Sequence, residues 1–227
     1  MALDFNESNQ YVDVGNQSSL QLGSAATFSA WIIPGNVIFW KQIYGQWVDP
    51  YVCAFFLSGS KFNFWVRNTA GSQMVSINGG SPVIGETYHF VATYDTSNNE
   101  SYLYVDGSEI VSGDAGANPM QGTNTFRIGQ KQDTSGEFDG EIWDMRYYNR
   151  ALSPAEIQAI YRLQGSDNIV NGLKGRWLMN EKHSGATATV ASSVKDVSGN
   201  GNDGTPVNSP LYTQAPLRLY KPQILTG

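Results

Sequence analysis

Apolar positions along this chain fall in short runs, with no long helical stripes. From Phe28 onward the runs FSAWII, VIFWKQIY, YVCAFFLS, KFNFWVR, QMVSIN, TYHFVATYD, ESYLYVDGSEIVS, TFRIGQ and EFDGEIWDMRYY follow one another, separated by turn-forming residues. Closely spaced strands without intervening helical patterns predict an all-β fold, an antiparallel two-sheet sandwich or jelly roll. The alternation is cleanest in TYHFVATYD, where Tyr88, Phe90, Ala92 and Tyr94 share one face and His89, Val91 and Thr93 the other. Asp106-Gly107 sits between apolar-alternating arms and predicts a tight hairpin, because both central positions of such a turn need positive φ.

One segment breaks the strand rhythm. Ser153-Pro154-Ala155-Glu156 opens SPAEIQAIYRL as a capping box with proline at the first helical position, and Ile157, Ile160 and Tyr161 fall at helical spacing. This predicts one short amphipathic helix packed on the sandwich edge. Gly165 to Asn171 is a polar joint, followed by strand-like GLKGRWLMN. The final stretch LYTQAPLRLYKPQILTG holds two prolines, one Arg, one Lys and no acid, a composition suited to an extended arm over 211–227.

Composition narrows the partners. The 227 residues suffice for one large β domain with a self-sufficient core. The single cysteine, Cys53, excludes an internal disulfide and lies in an apolar run, as a small buried hydrophobe would. Fourteen basic against twenty acidic residues give a formal charge of -6, with no basic run, which argues against nucleic acid as partner. No apolar stretch is long enough for a membrane-spanning helix, and MALDFNESNQ lacks the basic and apolar regions of a signal peptide. Taken as a native start, it predicts no export by the Sec route.

Several of these pieces, in order, resemble one family. LDFNESNQYVDVGN (Leu3–Asn16), TFSAWIIP (Thr27–Pro34), TYHFVATYD, SYLYVDGSEIVS, FRIGQ and FDGEIWDMRYYNRALSPAEIQAIY (Phe138–Tyr161) are similar to the successive motifs of the LamG-like jelly rolls of the concanavalin A-like lectin/glucanase superfamily. In that family a strand resembling GLKGRWLMNE and a loop resembling DVSGNGNDGT often precede the LDF strand; here they lie at 172–181 and 196–205. The resemblance implies either a circularly permuted single domain over 1–210, in which 172–210 supplies the usual N-terminal strand and loop, or a complete domain followed by a truncated second copy. A fragment of about fifty residues cannot bury a full sandwich face alone, which favours the single domain.

Candidate chemistry is sparse. Glu137, Asp139 and Glu141 have the E-x-D-x-E spacing of the catalytic strand in laminarinase-type glucanases, and strand periodicity would put all three carboxylates on one face. Gly140 inside the motif departs from that pattern, and the turn-and-strand of the non-catalytic LamG-like proteins explains the same residues, so no catalytic residue is assigned. DVSGNGND presents Asp196, Asn200, Asn202 and Asp203 on a glycine-rich loop, and hard cations take such oxygen donors. The resemblance implies a structural Ca²⁺ held by Asp144, Asp196, Asn200 and Asn202; a plain Asx-rich turn reads the same residues equally well. His89 and His183 have no triad partners in sight. Trp40, Tyr44, Trp47 and Trp65 are more aromatic surface than alternation buries, and are candidate ligand-binding residues.

The function expected first is a non-enzymatic structural or adhesive protein of a phage particle, a capsid decoration or tail-associated jelly roll. It would be made in the host cytoplasm and localised to the virion. The arm would dock on a capsid or tail protein through Leu217, Arg218, Tyr220 and Lys221. The alternative is an extracellular carbohydrate-binding module of a polysaccharide-active system, with glycans as partners; a glucanase stands third. Polar, Gly-rich edges are also compatible with a homo-oligomer.

Overall fold

A computed structural model describes residues 1–48, 51–133, 135–189 and 194–215. In chain order the strands are β1 (Ala2–Asn6), β2 (Tyr11–Gly15), β3 (Ala25–Pro34), β4 (Lys41–Gln46), β5 (Cys53–Ser58), β6 (Lys61–Arg67), β7 (Gln73–Gly79) and β8 (Tyr88–Asp95). They continue as β9 (Glu100–Val105), β10 (Ser108–Gly113), β11 (Phe126–Ile128), β12 (Asp139–Tyr148), β13 (Leu173–Trp177), β14 (Thr205–Val207) and β15 (Leu211–Thr213). The one α-helix among the described residues is α1 (Pro154–Leu163).

Two antiparallel sheets form a sandwich, as the run pattern predicts. The eight-stranded sheet runs β10-β9-β8-β3-β12-β1-β15, with β13 also on β12; the seven-stranded sheet runs β14-β2-β11-β4-β5-β6-β7. Alternation builds the core between them. From β8, Phe90, Ala92 and Tyr94 point inward, and from β6, Phe62, Phe64 and Val66 do the same. Phe28 is central, its ring 5.2–6.3 Å from those of Tyr44, Phe55, Phe64 and Tyr147. Such ring pairs add about 0.5–1.5 kcal/mol each beyond area burial. Cys53 is buried in the same core, and burial pushes its thiol up to about 12.

The chain's last quarter, as far as it is described, enters both sheets. One edge of β12 is shared end to end by β1 (Leu3 opposite Ile142) and β13 (Trp177 opposite Met145). β14 extends the other sheet beside β2, and Trp177, Met179, Ala188, Val194 and Tyr212 lie in the main core. The arm expected over 211–227 therefore starts too early: Leu211–Thr213 is a strand paired with β1, with Leu3 opposite Tyr212. The reason is Tyr212, fully buried with its hydroxyl 3.1 Å from Glu181 Oε2. Leu217, Arg218, Tyr220 and Lys221 lie outside the described residues.

Helix α1 carries the expected capping box: Glu156 N donates to Ser153 Oγ while Ser153 N donates to Glu156 Oε2. Arg150 adds a bidentate pair to the same carboxylate, at 2.6 and 2.9 Å. The helix does not sit on the sandwich edge as expected. Ile157 and Ile160 pack on the outer face of the eight-stranded sheet against Val91, Tyr104, Tyr148 and Leu152, outward residues that are themselves apolar.

Gly140, in the middle of the E-x-D-x-E motif, has φ +117°, and a Cβ there would overlap the Ile33 carbonyl oxygen. Gly140→Ala is expected to cost about 2 kcal/mol or more in urea unfolding, through backbone strain and a shifted β3–β12 pairing. An unchanged unfolding midpoint would contradict that geometry.

Candidate functional site

The outer face of the seven-stranded sheet carries side chains of the opposite parity to the core. On β5, Cys53, Phe55 and Leu57 point in, leaving Ala54 and Phe56 outside; on β6, Trp65 points out between the small cross-strand neighbours Ala54 and Ser76. Phe56 gathers a second aromatic cluster there. Trp40 stacks on it at 3.7 Å between ring centroids, and Trp65 stands edge-on to both, 4.9 Å from Phe56 and 5.1 Å from Trp40. Trp47 closes the group at 5.5 Å from Trp40 and Trp65, with the partly exposed Tyr51 5.2 Å beyond.

The loop after β11 fixes this cluster. Gln132 accepts a hydrogen bond from Trp47 N (2.8 Å) and donates to the carbonyls of Gly45 (3.1 Å) and Thr125 (2.6 Å). Gly136 lies so close under Trp40 that a Cβ would meet the indole 2.5 Å away, and its φ of +62° suits glycine. Trp40 Nε1 donates to Gln42 Oε1 at 3.1 Å. The rings are thus held before any ligand arrives, which lowers the ordering cost of binding.

Cations rim the rings. Arg67 Cζ lies 5.4 Å over Trp47 and 4.9 Å over Tyr51, Lys131 Nζ lies 4.9 Å over Trp40, and on β11 Arg127 Cζ lies 4.0 Å over Tyr11. Lys131 is paired with Asp133 at 3.2 Å. Trp47 and Phe56 are buried, so the exposed parts of Trp40 and Trp65 form the surface; such rings with charged hydrogen-bond donors at their margin can hold the apolar face of a sugar ring and its oxygens together.

Three of the four aromatic candidates, Trp40, Trp47 and Trp65, meet here. Tyr44 does not: it is fully buried, stacked on Phe126 at 5.6 Å, because a bulge in β4 turns both Ile43 and Tyr44 into the core. Phe56, Tyr51, Arg67, Lys131 and Gln132 were not anticipated. The outward parity of Trp65 and Arg67, two residues apart in KFNFWVR, was the available signal.

Of the expected metal ligands, Asp196, Asn200 and Asn202 share one loop and Asp144 is linked to it through Arg176, but their oxygens are filled by the protein. Asp144 Oδ1 accepts from Arg146 Nε (3.1 Å) and Arg176 Nε (2.7 Å), and Oδ2 from Nη2 of the same arginines (2.6 and 3.3 Å). Arg146 also grips Asp167 at 2.9 and 3.0 Å. Burial works against the Arg146 charge, and the two carboxylates more than offset it, raising its pKa. Asp196 accepts from the backbone N–H of Arg176, Ser198 and Asn202 and from Ser198 Oγ. Asn200 donates to Leu173 O and Asn202 to Lys174 O, while Asn202 Oδ1 accepts from Ser19. Two guanidiniums take the place of a cation at Asp144 and backbone N–H groups with Ser198 Oγ fill Asp196, so these residues do not fit a calcium site. Among the described residues no group of three His, Cys, Asp or Glu side chains could hold a metal ion.

The carboxylate trio is split. Asp139 and Glu141 lie on β12, but Glu137 precedes the strand, with Oε1 accepting from Asn9 N (3.1 Å) and Gln130 Nε2 (3.4 Å). His183 is exposed. His89 is fully buried, with Nε2 2.9 Å from Ser29 Oγ. Burial, then the nearby Arg146, lowers its pKa to about 3. The folded state therefore binds fewer protons than the unfolded one below pH ~6.5, and stability is lost as pH falls toward 3. In thermal unfolding, His89 alone should remove about 1.4 kcal/mol of stability per pH unit between roughly pH 6 and 5, a loss that the raised carboxyls of Asp4, Asp139 and Glu141 partly offset. His89→Gln is expected to flatten that slope; an equal slope in the variant would assign it elsewhere.

The fold is that of a concanavalin A-like jelly roll. A laminin-G-type family model described as the Concanavalin A-like lectin/glucanases superfamily matches residues 6–158, and the chain belongs to that superfamily. A search of curated proteins finds no match. Among solved structures, the chain is similar to a Bacteroides ovatus protein provisionally named as carbohydrate-binding, with TM-score 0.71 and 19% identity over 96% of this chain and 61% of that one. It thus spans about three fifths of that relative's length. It also resembles the CBM40 domain of a Ruminococcus gnavus sialidase bound to sialyllactose (TM-score 0.55, 16% identity, 70% and 96% covered). A third is domain 4 of a Geobacillus stearothermophilus extracellular arabinanase in complex with arabinotriose (TM-score 0.55, 18% identity, 70% and 76% covered). At these identities the likeness establishes the fold.

Proposed function

We propose that this chain is a carbohydrate-binding protein and that its sugar-binding surface is the outer face of the seven-stranded sheet. The observation that carries the reading is the Trp40–Trp47–Trp65–Phe56 cluster, a second set of packed rings outside the main core. The helix packs on the opposite sheet; on this one Trp40 and Trp65 stay partly exposed, while Trp47 and Phe56 are buried. Two of the similar domains are solved with bound sugars, which supports the same use of the fold here. The capsid- or tail-docking reading rests on residues outside those described, and none of these relatives points toward it, so the carbohydrate-binding alternative takes precedence.

The test is a titration of the protein with soluble oligosaccharides, comparing wild type with Trp65→Ala. The variant is expected to bind at least about tenfold more weakly, the equivalent of ~1.4 kcal/mol, with an unfolding temperature close to wild type. Unchanged affinity in a folded Trp65→Ala protein would remove this face from the account.

A further inference from the structure

The next inference rests on the carbohydrate-binding reading and names the class of sugar. Four nitrogen donors on the outer face of the seven-stranded sheet are shielded from solvent and have no acceptor among the described residues: Gln42 Nε2, Trp65 Nε1, Arg67 Nε and Arg127 Nε. Their strands, β4, β6 and β11, lie in one sheet, and Gln42 and Trp65 belong to the aromatic cluster itself. Buried donors without acceptors are destabilising in the free protein, and so mark places where a ligand's acceptors would be rewarded.

Charge points the same way. In a chain of net charge -6, Arg67 and Arg127 take part in no salt bridge among the described residues. Arg67 Nη1 donates to Gly71 O at 2.8 Å, and Arg127 Nη1 to Gln130 Oε1 and Lys131 O at 3.3 and 3.2 Å, which leaves part of each fork without a partner among the described residues. A guanidinium laid over an aromatic ring keeps its N–H edges in plane and pre-oriented, the geometry that receives a carboxylate in two parallel hydrogen bonds. A neutral sugar brings donors and acceptors in like numbers; a carboxylate brings acceptors alone.

We infer that this face selects an acidic oligosaccharide, seating a sugar carboxylate on Arg67 with the adjoining sugar ring against Trp65. Lys131, already neutralised by Asp133, orders Trp40 and contributes less to the selection.

The experiment is isothermal titration of the full chain with two matched pairs: oligogalacturonate against its methyl ester, and sialyllactose against lactose. At least one acid should bind about tenfold or more tightly than its neutral counterpart. Arg67→Gln should abolish that preference, whereas Arg162→Gln, the same charge change on α1, should retain it. Equal binding of acid and neutral forms, or equal losses in the two variants, overturns the acidic inference and leaves the carbohydrate reading standing. Binding of none of the four sugars overturns both.

Discussion

A chain ending at Gly165 is expected to lose cooperative unfolding altogether. It would lack β13, β14 and β15 and so leave the Met145–Tyr148 part of one edge of β12, and one edge each of β1 and β2, without partners. It would also lack Trp177, Met179, Val194 and Tyr212, all fully buried. Burial of one large apolar side chain is worth about 1.5–3 kcal/mol, so the group contributes on the order of the whole stability of a domain. Trp177 adds a specific tie, donating from Nε1 to Asn202 O at 2.8 Å across the polar loop. The shortened chain should show no sharp thermal transition and should bind a hydrophobic dye. A cooperative transition near that of the full chain would mean that the segment after Gly165 is an appended repeat and that the sandwich closes without it.

The second large effect belongs to Arg146, which is fully buried and held by Asp144 and Asp167. Arg146→Ala would leave Asp167, whose side chain is almost fully buried, without its guanidinium and would weaken the neutralisation of Asp144, which Arg176 still contacts. Breaking a buried pair from one side costs about 3–5 kcal/mol, because the remaining charge stays desolvated. Urea unfolding of the variant measures this; a loss below about 1 kcal/mol would show that Asp144 and Asp167 find other partners. Since guanidiniums fill the place a cation would take, calcium or a chelator should shift the wild-type melting temperature little.

Local rules carried far along this chain. The strand runs, the Asp106-Gly107 turn with φ of 53° and 78°, the Ser153 capping box and the two faces of β8 are each determined by a few neighbouring residues. What escaped was set by bulges and by distant partners. The bulge at Ile43 reverses the parity of Tyr44, and the one between Trp143 and Arg146 sets Asp144 at φ +44°, turned toward two arginines. Neither carries a sequence mark. The helix seat depends on Val91, Tyr104 and Tyr148, scattered over three strands, so no local pattern reveals it. At the candidate site the tryptophans were legible as surplus aromatic surface, while Arg67 and Lys131 gained meaning only once folding laid them over the rings.

The six tryptophans offer a direct reading of where a sugar lands. Trp40, Trp47 and Trp65 line the proposed face, Trp31 and Trp143 stack at 5.9 Å on the other sheet, and Trp177 lies in the core. The measurement is an NMR titration of the indole N–H signals with oligogalacturonate and sialyllactose. Movement of Trp40, Trp47 and Trp65 alone, saturating with the sugar, is the result expected. Saturable movement confined to Trp31 and Trp143 would place binding on the helix-bearing sheet and contradict the account.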